Sequence, residues 1–376
     1  MPTTPTSPTS PATINDKVFE VPRATDMLGG LVARTASLWR WLGGIETDIL
    51  EDRLEKVRID RPIYICGLAR AGTTILLELI GSLPQIATHR YRDYPLIYTP
   101  YLWDMVLSRM PRRAAAPSER THLDGIMVTP ESPEAFEEVL WMHFFAGAHD
   151  PARSSLLDAT TENPAFERFY PDHLRKLMVV QHASRYAAKG NYNIARLAYI
   201  LKLFPDARFL VAVREPAAHI ASLMKQHALF CEGERRNPRM LAHMRRVGHF
   251  EFGLDRRPIN LGPETAEVLA LWEAGEEVRG WAVYWRSIYS HLLGQLAQHP
   301  ALGEAVLPVR HEDLCERPHE TLTALSQHCG LDPRDPIIEG FAERLHYPAY
   351  YRPDFSAAEK QVIARETAEV AVRLGY

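Results

Sequence analysis

The stretch "IYICGLARAGTTILLELIGSLP", residues 63–84, constrains the fold more than any other part of the chain. Its first four residues, Ile63 to Cys66, are apolar and short, the pattern of a strand buried on both faces. Gly67 and Gly72 bound a six-residue loop, and Thr73 to Ser82 reads as a helix. A strand that feeds a glycine loop and then a helix is a building unit of parallel α/β sheets. The first amides of the helix have no intrahelical acceptor and carry the positive end of its dipole. Such a loop is therefore an anion site. The two glycines permit left-handed backbone close to a ligand. The spacing is that of a nucleotide-binding loop, G-x-x-x-x-G-K-[ST], yet Thr73 stands where the lysine belongs. Without that lysine, triphosphate chemistry loses a central electrostatic part. Arg70, inside the loop, brings a permanently charged, many-donor group instead.

The rest of the chain extends this pattern. "RYAAKGNYN" reads as a strand ending near Lys189, "DARFLVAVREP" as a strand over Phe209–Val213, and "AVLPVRHEDL" as a strand ending at Arg310. Helices are expected near 194–204, 217–231 and 275–298. Strands separated by helices predict an α/β fold with a central parallel sheet flanked by helices. Residues 1–24, which open on "MPTTPTSPTSPAT", read as a disordered Pro/Thr/Ser-rich tail. Residues 25–60 read as a helical segment broken at Gly43–Gly44, and 61–376 as the main domain. Residues 101–160 read as an insertion with helices. A net charge of −4 gives no general case for nucleic acid as a partner. No apolar run is long enough for a membrane span. No secretory signal is visible, and the four cysteines show no metal-binding spacing. These readings place the protein in the cytoplasm.

"GLARAGTTIL" resembles the 5′-phosphosulfate loop of sulfotransferases that use 3′-phosphoadenosine 5′-phosphosulfate (PAPS), in the R-S-G-T-T form of bacterial, carbohydrate and tyrosylprotein enzymes. Ala71 replaces the usual serine. The family's second signature binds the 3′-phosphate through a strand-end arginine and a serine eight residues on. "VREPAAHIAS" supplies Arg214 and Ser222 at that separation. "AKGNYNIARLAYILKLFPDARFLVAVREP", "VRHEDLCERPHETL" and the terminal "RLGY" are similar to further family segments. The resemblance covers roughly residues 60–376 and implies the P-loop-containing sulfotransferase fold.

The implied reaction moves a sulfuryl group from PAPS to a hydroxyl or amine and needs no metal. Arg70, Ala71, Gly72, Thr73 and Thr74 would hold the 5′-phosphosulfate, with Arg214 and Ser222 on the 3′-phosphate. Lys189 matches the family's strand-end lysine, a second cation near the transferred group. Asn191 and Asn193 stand where relatives place a histidine base. Asp93, near the position of the glutamate base of tyrosylprotein-type enzymes, is the expected base. His89, Glu131, Glu134 and His143 are further candidates. "YRDYPLIYTPYLW", with Tyr91, Tyr94, Tyr98, Tyr101 and Trp103, could line an acceptor pocket or fill the core. The acceptor is a small molecule, carbohydrate or lipid. A P-loop small-molecule kinase and an inactive nucleotide-binding relative are the alternatives.

Overall fold

The computed structural model describes residues 16–110, 116–347 and 354–376. Its strands are β1 (Ile63–Cys66), β2 (Ile86–Ala87), β3 (Ser118–Glu119), β4 (Met127–Val128), β5 (Arg185–Lys189), β6 (Arg208–Val213) and β7 (Val306–Arg310). Five of them form a parallel sheet in the order β2-β5-β1-β6-β7. The expected α/β architecture is the observed one. β1 is wholly buried, as its unbroken apolar run requires. β3 and β4 make a separate antiparallel ribbon.

Two apolar layers cover the sheet. On one face, Leu76, Leu79 and Ile80 of the Thr73–Gly81 helix meet Leu210, Ala212 and Leu325. On the other, Tyr64, Phe209 and Val211 meet Trp285 and Tyr289 of the Glu277–Gln298 helix. Alternate residues of β1 and β6 thus enter opposite layers, as the pleat dictates. From β1 the chain runs out to β2 at one edge and back to β5, then crosses β1 to β6 and β7 on the other side. That makes the carboxyl end of β1 a switch point, where open α/β sheets bind ligands.

The N-terminal region departs from the sequence reading. Residues 1–15 of the expected tail lie outside the described residues. From Asp16 a single turn forms, and Phe19 and Val21 are buried in the core. Two apolar side chains in an otherwise polar stretch are the cause. The helices then run Arg23–Arg34 and Ala36–Ile49, with the break at Thr35 and not at Gly43–Gly44. Gly43 sits inside a helix because the backbone of Tyr98 presses on it: a Cβ there would lie 2.6 Å from the Tyr98 carbonyl oxygen. Close approach, and not a chain break, explains that glycine.

Candidate active site

The loop between β1 and the Thr73–Gly81 helix is built tightly. Gly67 has φ +121° and Gly72 φ +103°. A Cβ on Gly67 would stand 2.4 Å from the carbonyl oxygen of Ala212. Only glycine fits where the loop crosses β6. Arg70 also takes a left-handed conformation, φ +72°, which costs an L-residue about 1–2 kcal/mol. Neighbours hold it there. Arg214 Nη1 donates to the Arg70 carbonyl at 3.1 Å. His219 Nε2–H donates to the Ala69 carbonyl at 2.8 Å. Burial keeps His219 neutral by pulling its pKa down to about 3, so this tautomer is fixed.

Arg214 follows β6 directly, and Ser222 lies two turns into the Pro216–Arg236 helix. Arg70 Nε donates to Ser222 Oγ at 3.3 Å. The three residues singled out from two separate sequence segments therefore converge on one loop. The "HEDL" and "RLGY" segments also meet: Glu312 accepts hydrogen bonds from the Glu215 amide at 3.0 Å and the Tyr376 hydroxyl at 2.8 Å. They brace the entrance of the Pro216–Arg236 helix from behind.

A cation that sequence reading missed completes the loop. Arg120, next to β3, is buried and donates to Thr74 Oγ1 at 3.1 Å. Asp124 holds both guanidinium groups. It accepts from Arg70 Nη1 at 2.6 Å and from Arg120 Nε at 2.9 Å, with a further contact to Arg120 Nη2. Desolvation acts to raise its pKa, but the two arginines outweigh it and hold the carboxyl far below the usual range. One carboxylate against two guanidiniums leaves the cluster net positive. No sequence motif marks Arg120, because its partner is a helix N-terminus distant in the chain.

A cavity of about 1020 Å³ opens beside this loop. Arg70, Thr73, Thr74, Arg120 and Lys189 are in its wall, and so are Glu134 and Glu251. Lys189 ends β5, in register with Ile65 of β1, so the parallel sheet delivers it beside the loop. Desolvation lowers the Lys189 pKa, and the Glu134 charge partly restores it. Glu134 shows the reverse balance. Desolvation pushes its pKa up, yet Lys189, a Tyr91 hydrogen bond, the Ala135 amide and Arg120 bring it below the ordinary value. Glu134 is therefore ionised at neutral pH and faces the cation at electrostatic range.

Asp93 is not brought to this cavity. Its carboxylate accepts the Arg90 amide at 2.7 Å and lies 3.6 Å from His89 Nδ1. It closes a tight turn, Tyr91–Asp93, and does not line the cavity. Asp93 is thus a correction to the sequence reading: an aspartate three residues after an extended residue folds back to cap it. The other candidates divide clearly. Glu131 is exposed and pairs with Arg90 and Arg92. His89 is buried against His173. His143 packs edge-on to Tyr98. Only Glu134 is in the cavity wall. Asn191 is there too, between Thr73 Oγ1 at 3.4 Å and Glu251 Oε1 at 2.8 Å. Asn193 is buried and does not line the cavity. Of the aromatic segment, Tyr91 and Tyr94 line the cavity, whereas Tyr98 is core and Tyr101 meets Arg53.

Among the described residues, no group of three or more His, Cys, Asp or Glu side chains is arranged to hold a metal ion. No helix among them is long and apolar enough to cross a membrane.

No curated protein matches the chain. Among solved structures, a sulfotransferase from Mycobacterium avium aligns over 87% of this chain and 81% of its own, at 16% identity and a TM-score of 0.49. One from Mycobacterium tuberculosis aligns over 90% and 83%, at 14% identity and a TM-score of 0.46. One from Alicyclobacillus acidocaldarius aligns over 84% and 96%, at 14% identity and a TM-score of 0.37. The model of the sulfotransferase family matches residues 62–251, half of the chain, from β1 through the loop, Lys189, Arg214 and Ser222 to Glu251. The chain belongs to the sulfotransferase family and has its α/β fold.

Proposed function

We propose that the protein transfers a sulfuryl group from PAPS to a hydroxyl or amine acceptor and releases adenosine 3′,5′-bisphosphate, without a metal ion. The observation that carries this reading is the convergence of Arg70, Arg214 and Ser222 on one glycine-bounded helix N-terminus. Their donors suit an anion at each end of a bisphosphorylated nucleoside.

PAPS supplies the sulfuryl group on its 5′-phosphate. The amides of residues 71–74, with the Thr73 and Thr74 hydroxyls, bind that end, and Arg214 and Ser222 bind the 3′-phosphate. Arg70 and Lys189 stabilise the negative charge that grows as the bond to the 5′-phosphate breaks. Arg120, anchored on Thr74, adds to that positive field. Loose transfer of this kind needs positioning and fixed charges more than covalent chemistry. Glu134 takes the proton of the acceptor hydroxyl. Its carboxylate is ionised, and it shares the cavity with the loop and Lys189. The setting proposed is the cytoplasm, supported by the free thiols Cys66, Cys231, Cys315 and Cys329.

The test is transfer of radiolabelled sulfate from PAPS into a mixed panel of alcohols, phenols, sugars and amines, in the presence of a chelator. Labelled product that requires Lys189 and Arg70 is expected. Absence of product from every acceptor class, or a requirement for Mg·ATP, overturns the proposal.

A further inference from the structure

The cavity continues past Glu134 and Lys189 into a chamber whose walls are not needed by the donor. Arg214 and Ser222 do not line it, so the 3′-phosphate end lies elsewhere and the chamber is on the acceptor side of the loop. We infer that this chamber binds a largely apolar, uncharged alcohol or phenol, whose hydroxyl is presented to Glu134. This rests on the sulfuryl-transfer reading above.

The walls come from well-separated segments. Phe19 and Val21 enter from the N-terminal turn, Phe136 from the segment after Glu134, and Phe230 from the Pro216–Arg236 helix. Met240 and Met244 come from the Pro238–Val247 helix. Aromatic pairs fix this lining. Tyr94 stacks on Phe136 with centroids 5.6 Å apart, and Phe230 stacks on His249 at 5.3 Å. Two methionines add a polarisable surface that adapts to an irregular apolar body. The volume lies near the upper end of the ~300–1,000 Å³ typical of small-ligand pockets. That leaves room for a fused-ring or alkyl body beyond the reacting hydroxyl.

The polar groups set further limits. His122 and His243 line the chamber, and burial holds both neutral. They offer hydrogen bonds without net charge. Four cations, Arg70, Arg92, Arg120 and Lys189, face the same space and are outnumbered by five carboxylates, Glu20, Glu119, Glu134, Glu138 and Glu251. An anionic acceptor would meet them at close range, while Asp124 already engages the Arg120 guanidinium. A saccharide would bring many hydroxyls against Phe, Val and Met walls, losing water contacts without replacement. A peptide backbone would suffer the same loss along its whole length.

The experiment uses the full chain, with 2-naphthol as apolar phenol, N-acetylglucosamine as saccharide and a tyrosine-containing acidic peptide. Binding is read by 2-naphthol fluorescence, and turnover by labelled sulfate from PAPS. Saturable 2-naphthol binding is expected, with a kcat/KM at least tenfold above that of the other two. Met244→Glu, at a half-buried position, should raise the 2-naphthol Kd and KM tenfold or more, and Met244→Leu should restore both. The thermal shift caused by adenosine 3′,5′-bisphosphate should stay unchanged in Met244→Glu, which also reports that the variant folds; Val247→Glu serves if it does not. Preference for the saccharide or the peptide overturns the inference, and so does 2-naphthol binding that neither Met244→Glu nor Val247→Glu weakens. Binding of 2-naphthol with no turnover of any acceptor would leave the chamber standing and overturn the transfer reaction instead.

Discussion

The two walls of the cavity differ in how they are assembled. The loop-side wall comes from strand ends of one parallel sheet: the loop after β1 and Lys189 at the end of β5, with Arg214 after β6 holding the loop from behind. Sheet register brings these together, and the Ile65–Lys189 pairing is a direct instance. The far wall is gathered from the N-terminal turn, the β3–β4 ribbon, Glu134 and the Pro238–Val247 helix. No repeating geometry relates those segments. The loop-side wall is a net-positive cluster fixed by Asp124, and the far wall is apolar with carboxylates and neutral imidazoles.

Substitutions can sharpen or break that comparison. The largest effect is expected at Glu134, where the two walls meet. Glu134→Gln keeps the shape and removes the proton acceptor, so kcat should fall by about 10²–10⁴, measured as sulfate transfer under saturating donor. An unchanged kcat would move the base elsewhere. Arg70→Ala follows, with kcat lower by about 10²–10³ through loss of a preorganised donor. It should also unsettle Asp124, which loses its hydrogen bond from Arg70 while keeping that from Arg120.

Arg214→Ala acts on binding. A charged hydrogen bond contributes about 1.5–3 kcal/mol, so affinity for adenosine 3′,5′-bisphosphate should drop roughly 10–100-fold. Calorimetry with 5′-AMP should show a far smaller loss, because that ligand lacks the 3′-phosphate.

The pH profile separates the two charges at the meeting point. Lys189 has a lowered pKa, chiefly through burial, so its cation is lost as pH rises, earlier than the ~10.4 of an ordinary lysine. Glu134 has a lowered pKa, so its negative charge is lost only below the ordinary carboxylate range. The rate should therefore fall with rising pH through Lys189, at lower pH than an ordinary lysine would titrate. Lys189→Arg should remove that limb. The smallest effect belongs to Asp93. Asp93→Ala should cost about 0.5–2 kcal/mol of stability as a lost cap and leave kcat within about twofold, since its carboxylate serves the Arg90 amide.

What was legible in the sequence follows the same division. β1, the loop and the helix after it fall where apolar runs and glycines put them, and Arg214 and Ser222 stand where the motif spacing led. Short-range chemistry decides those positions. Asp93 misled because nearness in sequence to the loop said nothing of a turn that folds the carboxylate back. Glu134 was one carboxylate among several until the fold set it opposite Lys189. Arg120 had no signal at all: its neighbours Thr74 and Asp124 matter only once the β3–β4 ribbon lies on the loop. The small-residue faces of the N-terminal helices were also hidden, since Gly29 is buried against Tyr94, while Leu31 and Leu38 remain largely exposed.

The central claim is that the loop with Thr73 in place of lysine serves a phosphosulfate donor. It is tested most directly by thermal denaturation with nucleotides and a chelator. Adenosine 3′,5′-bisphosphate should raise the Tm without metal and more than 5′-AMP does, and Arg214→Ala should erase that difference. A larger stabilisation by Mg·ATP in a metal-containing control, or equal shifts for the two adenosine ligands in the wild-type protein, would contradict it.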